Sequence, residues 1–400
     1  MNKQWKWLLS LLFPSTVYAS FIESTLGAAV VNDATAAYYN PAALTLVKKN
    51  QFIALGSIAS AKASFTGETL QTRTGITHAG TSSSQTNFYL PSLYLGIPTK
   101  NKFTFGVAIV SNFFNRNVEE NAVLRYVQSN NSTRDIDLVP ALALKVNDNI
   151  AFGAGISLSQ AFLSSEPISS GVPNAHIPDA QSHNKADGTG LGADVGILIT
   201  PNTSTLMGLN YRSAVTYHLK GTSVLEGEPP VISNNYAYTF WTPARVVFSI
   251  NQSITPSIGA IGTVQRIQWS IFNDINIQGI AARVDSQPVI LNARVPHYLR
   301  DTWLFTIGGH YRPSPKWVIR VAGNYNQSPG NPNYQISNGD TITTGASMGY
   351  KLNENVSIDA SYAHAFIQNQ IIDIHSGANF ISGENRGSTD AVSLKLIFNR

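Results

Sequence analysis

Large apolar residues alternate with small or polar residues along most of this chain. In residues 102–112, every second position from Phe103 to Ile109 is large and apolar, whereas the positions between them are Thr, Gly and Ala. The same pattern recurs in residues 149–159, 205–220, 317–326 and 392–399. A period of two places each apolar set on one face of a β-strand.

The chemistry of the second face distinguishes two all-β architectures. A soluble sandwich exposes its polar face to water and carries many Lys and Glu residues there, whereas here that face is mainly Gly, Ala, Ser, Thr and Asn. Small polar residues suit the crowded lumen of a membrane barrel whose bulky face is turned toward lipid. We therefore expect an all-β fold, a transmembrane antiparallel β-barrel.

Counting the alternating segments gives the strand number. About fourteen strands are predicted, near 50–65, 86–97, 102–112, 134–146, 149–162, 189–200, 204–220, 236–251, 254–268, 299–312, 316–326, 341–352, 355–366 and 388–400. Tight turns at 147–149, 201–202, 313–316 and 353–355 alternate with long polar segments at 66–85, 113–133, 163–188, 269–298 and 367–387. An even strand number, with short turns on one side and long loops on the other, is typical of outer-membrane barrels.

Composition agrees with this fold. The chain has no cysteine, and only 12% of its residues are charged, about half the ~25% of an ordinary soluble domain. After the N-terminus, no apolar run approaches the ~20 residues of a membrane helix. A membrane-inserted form of this chain is therefore predicted to cross by strands.

The N-terminus reads as a signal peptide covering residues 1–19. Lys3 and Lys6 precede a short apolar run, and Val17 and Ala19 fit a cleavage site after Ala19. Removing both lysines leaves 25 basic residues against 23 acidic ones. That balance provides no basic surface for nucleic acid, so we expect no nucleic-acid partner.

The segment that follows, residues 20–47, carries the most specific motif. Residues 32–44 read "NDATAAYYNPAAL", and Asp33 to Ala42 match a D-A-(S/T)-x-A-x-x-N-P-A run. With "LVPALALKVNDNIAFGAGISL" at 138–158, "GLNYRSAV" at 208–215 and the segment 299–329, the chain resembles FadL-type long-chain fatty-acid and hydrocarbon transporters of Gram-negative outer membranes. The resemblance covers nearly all of the mature chain.

The resemblance implies a hatch formed by residues 20–47, folded inward as a plug of the barrel formed by residues 48–400. It also implies that a hydrophobic molecule is captured by the extracellular loops, enters an apolar pocket above the hatch and leaves sideways where the third strand is kinked. We expect the kink at Ser111 and Asn112, although a plain strand end explains these residues nearly as well. Phe113 and Phe114 follow as candidate ligand contacts, and residues 118–127 are expected to form a short amphipathic helix.

The opening motif supplies two more candidates. Asn40 is expected to cap a turn while touching the ligand, and Pro41 fixes the backbone beside it. A role of Asn40 in the turn alone is the alternative.

A fatty acid would also need a cation for its carboxylate. Arg212, Arg245, Arg320 and Lys395 are predicted to point inward, and Arg212 and Arg320 are taken as candidate ligand contacts. Pairing of these cations with lumen acids such as Asp194 and Asp359 is the favoured alternative. Because "SQAFLSSEP" at 159–167 lacks the basic residue expected in the family, neutral hydrocarbons and aromatics stay open as ligands.

No catalytic constellation or metal-ligand spacing is present in the sequence, so neither enzyme activity nor a cofactor is expected. We expect passive outer-membrane transport of hydrophobic molecules, with long-chain fatty acids favoured over aromatic hydrocarbons. Expected partners are that ligand, outer-membrane lipid and lipopolysaccharide, and the outer-membrane assembly machinery. A polar-solute porin and an adhesin-like barrel that displays loops without transport are the rival functions.

Overall fold

A computed structural model describes residues 28–111, 114–116, 123–127, 130–169, 178–284, 287–375 and 377–400, with backbone alone at 114–116, 169, 272 and 284. The predicted signal peptide, the first residues of the predicted hatch, and Asn112 and Phe113 lie outside this part of the chain. No helix within it is long and apolar enough to cross a membrane.

The described chain is almost entirely β-structure. Its short helical segments are the 3-10 helix Ala28–Val30, helix α1 (Ala36–Tyr39), and the 3-10 helices Pro41–Leu46 and Trp269–Asn273. The strands are β1 (Gln51–Gln71), β2 (Thr77–Pro98), β3 (Phe103–Val110), β4 (Phe114–Arg116), β5 (Asn130–Lys145), β6 (Ile150–Glu166), β7 (Ile168–Ser169), β8 (Ala180–Asn202), β9 (Thr205–Arg212), β10 (Val215–Leu225), β11 (Val231–Thr242), β12 (Arg245–Ser253), β13 (Ile258–Ile267), β14 (Asp274–Val284), β15 (Gln287–Pro296), β16 (Thr302–Ser314), β17 (Trp317–Asn326), β18 (Thr341–Lys351), β19 (Val356–Ile374) and β20 (Asn379–Asn399).

The strands close into a barrel. Each pairs antiparallel with its neighbour, and β1 pairs with β20 from Gln51↔Asn399 to Gln71↔Asn379. Six pairs of segments act as single interrupted strands: β3 with β4, β6 with β7, β9 with β10, β11 with β12, β13 with β14, and β15 with β16. The result is a closed fourteen-stranded antiparallel barrel, which confirms the predicted fold class.

In the half of the barrel that carries the tight turns, side chains face as the alternation predicts. Phe105 and Ile156 are 52% exposed on the outer face, and Val321 is 56% exposed. Thr104 and Ser157 are buried on the inner face. An exposed apolar band around a small, polar interior is what a lipid-facing barrel requires.

The predicted single strands 204–220 and 236–251 are wrong in one respect. Each is broken, at Ser213–Ala214 and at Pro243–Ala244, and Pro243 has no backbone N–H to donate to a ladder. After the first break the apolar residues change face. Tyr211, before the break, is 45% exposed, whereas Tyr217, after it, is 1% exposed. The apolar set of β10, predicted to face outward, therefore faces into the barrel.

The predicted long polar loops are largely strands. Residues 66–85 lie mostly in β1 and β2, 269–298 mostly in β14 and β15, and 367–387 mostly in β19 and β20. Above the apolar band the outer face is in water, so the lipid-facing signal on which the sequence interpretation relied is absent there. In β14 the apolar residues still alternate, but they face into the barrel. Ile275 and Ile277 point inward and are each 1% exposed.

Candidate functional site

The N-terminal segment fills one side of the barrel in the half with the tight turns. Residues 28–30 and 34–44 are buried, and they pack against inward-facing side chains of the wall such as Ile53, Ala108 and Leu198. Alanine and other small residues suit this position because they pack closely without introducing buried charges. The gating role that the word hatch implies stays a prediction, and we use "hatch segment" for residues 28–47.

Local side-chain contacts set the path of the hatch segment. The Thr35 N–H donates to Asp33 Oδ1 at 3.0 Å, which closes a turn before helix α1. Asn40 adopts an extended conformation, with φ −160° and ψ 100°, and Pro41 begins the next 3-10 helix. Proline suits that first helical position because its missing N–H would have no helical partner there.

The wall makes room for the hatch segment with glycines. A Cβ atom on Gly196 would lie 1.8 Å from Asn40 Oδ1, and one on Gly153 would lie 2.2 Å from the Ala42 nitrogen. A Cβ atom on Gly208 would likewise lie 1.9 Å from the Ala29 carbonyl oxygen. The glycines that alternate on these strands therefore leave room in the lumen for the hatch segment.

Asn40 is fully buried and its side-chain amide is occupied by the protein itself. Nδ2 donates to the Ala29 carbonyl at 2.7 Å and to the Ile197 carbonyl, in the wall, at 3.3 Å. Oδ1 accepts from the Ala42 N–H at 3.1 Å. These bonds give Asn40 a structural role in joining the hatch segment to β8, and its predicted contact with ligand stays a prediction. The adjacent Pro41 is also buried.

Arg212 anchors the hatch segment to the wall. Its Nε donates to Asp194 Oδ2 at 3.0 Å, and its Nη2 donates to the Tyr38 carbonyl at 3.1 Å. The guanidinium carbon lies 3.8 Å from the centre of the Tyr38 ring, which adds a cation–π contact. A second carboxylate, Asp137, lies 3.9 Å from Nη1. Arg212 thus points inward as predicted, and it forms ion pairs with acids.

A second ionic group lies where the barrel closes. Lys395 Nζ is 3.0 Å from Asp33 Oδ2 of the hatch segment and 3.5 Å from Asp359 Oδ2. Arg320 Nη1 is 3.4 Å from the same oxygen of Asp359. Pairing with lumen acids, the alternative favoured from the sequence, is the arrangement that these cations adopt. Asp33 was missed as a partner, although it belongs to the opening motif.

An apolar cluster fills the barrel interior above the hatch segment. Its buried members lie on the upper strands, in the 3-10 helix that begins at Trp269 and, for Leu299, just after β15; they are Ala161, Leu163, Ala186, Val215, Tyr217, Leu219, Tyr236, Tyr238, Phe240, Ile267, Trp269, Ile275, Ile277, Val295 and Leu299. We call this set the upper apolar cluster. On β10 and β11 its members face inward because the strand breaks change which face the apolar residues occupy, and the uninterrupted sequence pattern concealed this change.

Five of the fifteen buried members of the upper apolar cluster are aromatic. Tyr217 and Phe240 stack with ring centres 4.6 Å apart and planes 7° apart. Tyr238 is only 3% exposed, and its hydroxyl has no hydrogen-bond partner among the residues that the structure describes. An unpartnered buried hydroxyl in an apolar setting is a position at which a ligand group can be received.

The third barrel strand is interrupted where the kink is predicted. Regular pairing of β2 with β3 ends at Ser92↔Val110, and the Ser111 N–H donates to the Pro91 carbonyl at 3.4 Å. The described backbone resumes in β4, where Phe114 pairs with Arg134 of β5. Phe113 lies outside the described residues, and the side chain of Phe114 is not described.

A loop segment covers the opposite end of the barrel. Residues 123–127 form turns, and Val123, Leu124 and Val127 are buried against strand and loop residues including Ile372 and Ile381. The rest of the helix predicted at 118–127 lies outside the described chain. Nε of Arg125 and the Tyr126 hydroxyl both donate to Asp179, at 3.1 and 2.9 Å. Burial and this carboxylate together raise the pKa of the Tyr126 hydroxyl.

Within the described residues, no group of three or more His, Cys, Asp or Glu side chains is arranged to hold a metal ion.

The comparisons with known proteins agree with this architecture. The sequence profile of a family described as "Outer membrane protein transport protein (OMPP1/FadL/TodX)" matches residues 25–396. No protein with a curated description matches the sequence.

Among solved structures, a Pseudomonas aeruginosa FadL homologue is similar with a TM-score of 0.83 and 20% identity, over 98% of this chain and 99% of that one. The Pseudomonas putida toluene transporter TodX gives 0.69 and 15%, over 99% and 100%. The Ralstonia pickettii toluene transporter TbuX gives 0.66 and 16%, over 94% and 98%. At these identities the structures show a shared fold.

Proposed function

The chain belongs to the OMPP1/FadL/TodX family of outer membrane transport proteins and resides in the outer membrane, and we propose that the hydrophobic molecules it transports are neutral. Such a molecule enters the barrel from the side of the long hairpins and is received by the upper apolar cluster. The hatch segment closes the route below. Transport is passive and uses neither ATP nor a cofactor.

The upper apolar cluster is the observation that carries this proposal. An interior lined by Tyr217, Tyr238 and Phe240 offers aromatic and aliphatic surface to a ligand that is poorly solvated in water. Removing apolar surface from water contributes about 25 cal/mol per Å². An open polar-solute porin would need a water-filled lumen, and here the lower half holds the buried hatch segment.

The ion pairs of the lumen favour neutral ligands over fatty acids. Arg212 already faces Asp194 and Asp137, and Arg320 and Lys395 share Asp359. A carboxylate placed at these cations would have to displace an acid that the chain supplies. The sequence favoured long-chain fatty acids, so oleate and toluene are the two ligands to compare.

The interruption of the third strand supports a lateral route out of the lumen. β3 ends at Val110, and the ladder between β2 and its described neighbour stops there. We propose that ligand leaves the barrel near Ser111, past Phe113 and Phe114. A hydrophobic molecule released there enters the lipid and avoids crossing the polar end of the barrel.

Ligand binding by purified protein in detergent tests the proposal. Toluene and oleate are titrated against wild type and against Phe240→Ala, whose side chain lies in the upper apolar cluster and is 6% exposed. The matched control is Phe248→Ala on the outer face of β12, where the ring is 41% exposed. Loss of a buried ring surface weakens binding by about 10- to 100-fold, equivalent to ~1.5–3 kcal/mol.

We expect saturable toluene binding that Phe240→Ala weakens and Phe248→Ala preserves. Heat-modifiable migration of each variant in gels checks that its barrel is folded. Equal affinities of the two variants for toluene would refute the assignment of the upper apolar cluster. Tight binding of oleate without binding of toluene would refute a neutral substrate. An adhesin-like barrel would bind neither ligand saturably.

A further inference from the structure

Three basic side chains project from one sector of the outer face. Arg134 of β5 pairs in register with Phe162 of β6, Phe162 pairs with Asp187 of β8, and Asp187 pairs with Lys220 of β10. Lys185 lies two residues from Asp187 on the same face of β8, and all of these side chains are exposed. We call Arg134, Lys185 and Lys220 the basic row.

The basic row lies just beyond the lipid-facing band. On β5, β6 and β8, the side chains of Leu138, Leu158 and Leu191 form a cross-strand row and are 40%, 47% and 65% exposed. Four residues separate each leucine from the row that contains Arg134 and Asp187. That spacing is about 13 Å along a strand and about 10 Å along the barrel axis after strand tilt. The same tilt makes the row slope by about 9 Å between Arg134 and Lys220, so the basic row spans the depth of the lipid headgroups.

The basic row faces the outer leaflet. It lies on the half of the barrel that ends in the long hairpins, whereas the tight turns lie at the opposite end. Long hairpins of outer-membrane barrels are extracellular. The lipid at this height is therefore lipopolysaccharide, whose lipid A headgroup is a disaccharide that carries phosphates.

Charge distinguishes this sector from the sector where the barrel closes. Within the part of the chain that the structure describes, the basic row provides three cations beside one acid, Asp187, whose Oδ2 also accepts from Gln160 Nε2 at 3.4 Å. In the other sector, His364 Nδ1 lies 2.8 Å from Asp390 Oδ1, and Arg386 Nη2 lies 2.7 Å from Glu384 Oε2. His364 and Arg386 thus each lie beside an acid, whereas among the described residues the basic row carries more positive than negative charge.

The geometry of the row suits a headgroup that carries more than one phosphate. Three strand spacings separate Arg134 from Lys220, about 14 Å. The Arg134 guanidinium lies 5.3 Å from the centre of the Phe162 ring, a cation–π contact that holds a group suited to phosphate on the outer face. Phe162 itself is 36% exposed and extends the apolar band toward the acyl chains.

We propose that Arg134, Lys185 and Lys220 form a binding surface for the phosphorylated lipid A headgroup of lipopolysaccharide. The phosphates bind the basic row, and the acyl chains lie over Leu138, Leu158 and Leu191. This surface is on the outside of the barrel and is independent of the lumen that passes the substrate.

Binding of purified protein to lipopolysaccharide in detergent, with EDTA present, tests the proposal. The probes are lipopolysaccharide with both lipid A phosphates, the same lipid after dephosphorylation, and phosphatidylglycerol. The triple variant R134Q/K185Q/K220Q should weaken binding to the phosphorylated lipid on the order of 100-fold, as expected when three cations leave an anionic surface. Asp187→Asn should tighten binding to the phosphorylated lipid severalfold, because it removes a negative charge that repels the phosphates.

The matched control is K102Q/K316Q, which removes two exposed lysines near the tight turns. It should keep wild-type affinity for phosphorylated lipopolysaccharide. The proposal is overturned if the control weakens binding as much as the triple variant, or if dephosphorylated lipid binds as tightly as the phosphorylated form. It is also overturned if phosphatidylglycerol responds equally, since affinity would then be for any anionic lipid. Toluene binding by the triple variant should equal that of wild type.

Discussion

Adding a single methyl group to the wall should displace the hatch segment. Gly196→Ala places a Cβ atom 1.8 Å from Asn40 Oδ1. Asn40 Oδ1 belongs to a fully buried amide that makes three hydrogen bonds, so the side chain cannot move away without breaking them. The substitution therefore acts on the docking of the hatch segment, although Gly196 belongs to the wall.

The free-energy cost of Gly196→Ala follows from the hydrogen bonds of Asn40 that the substitution would break. Moving the Asn40 amide breaks its bonds to the Ala29 and Ile197 carbonyls and loosens its bond from the Ala42 N–H. Leaving these buried groups unpaired costs about 1–3 kcal/mol. Since every 1.4 kcal/mol is a tenfold change in an equilibrium constant, the population with an undocked hatch segment should rise about 5- to 150-fold.

A single introduced cysteine measures that population. The chain has no cysteine of its own, and Val30 is 4% exposed within the hatch segment. Val30→Cys introduces a smaller side chain, so the probe itself does not overpack the site. Its rate of reaction with a water-soluble thiol reagent reports the undocked fraction when docking is fast.

Gly196→Ala should raise the labelling rate of this probe by about 5- to 150-fold. Gly56→Ala is the matched control, because a Cβ atom there would meet nothing within 4 Å. If both variants label at the wild-type rate while remaining folded, the Asn40 contact does not hold the hatch segment in place.

Two further substitutions and one deletion test the anchors and the lumen. Lys395→Met leaves the carboxylates of Asp33 and Asp359 without their shared cation, and it should destabilise the folded barrel by several kcal/mol, as measured by urea unfolding in detergent; an unchanged midpoint would contradict the pairing. Deleting residues 20–47 should leave a heat-modifiable barrel with a higher single-channel conductance, whereas wild-type conductance would place the segment outside the conducting path. Tyr238→Phe removes a hydroxyl that has no described partner and should leave stability unchanged or raise it by about 1 kcal/mol; a loss above 1 kcal/mol would show that the hydroxyl is bonded.

The sequence predicted the barrel well because lipid imposes a regular requirement. Residues such as Phe105 and Val321 must be apolar at every second position to face hydrocarbon, and this requirement is visible in the sequence. Where strands extend above the lipid, as in β14 and β15, the outer face is no longer constrained, and strands were mistaken for loops.

The interior was less predictable, because its organisation depends on which strands face each other. Arg212 and Lys395 were identified as inward cations, and two of their partners, Asp194 and Asp359, were proposed as well. The contacts of Asp33 with Lys395 and of Tyr38 with Arg212 join residues far apart in the chain. The upper apolar cluster depends on the breaks at Ser213–Ala214 and Pro243–Ala244, across which alternate residues change face. Tyr217, after the first break, and Phe240, before the second, therefore both point inward.

Initial rates of uptake by cells test the central claim, passage of neutral hydrophobic molecules through the upper apolar cluster. Radiolabelled toluene and oleate are supplied to cells that lack their own hydrophobic-substrate transporters and express wild type, Phe240→Ala or Phe248→Ala at equal surface levels. We predict that wild type and Phe248→Ala raise toluene uptake severalfold and that Phe240→Ala does not, with oleate uptake at background in all three. Toluene uptake at background with wild-type protein, or an equal rise with Phe240→Ala, would contradict the account.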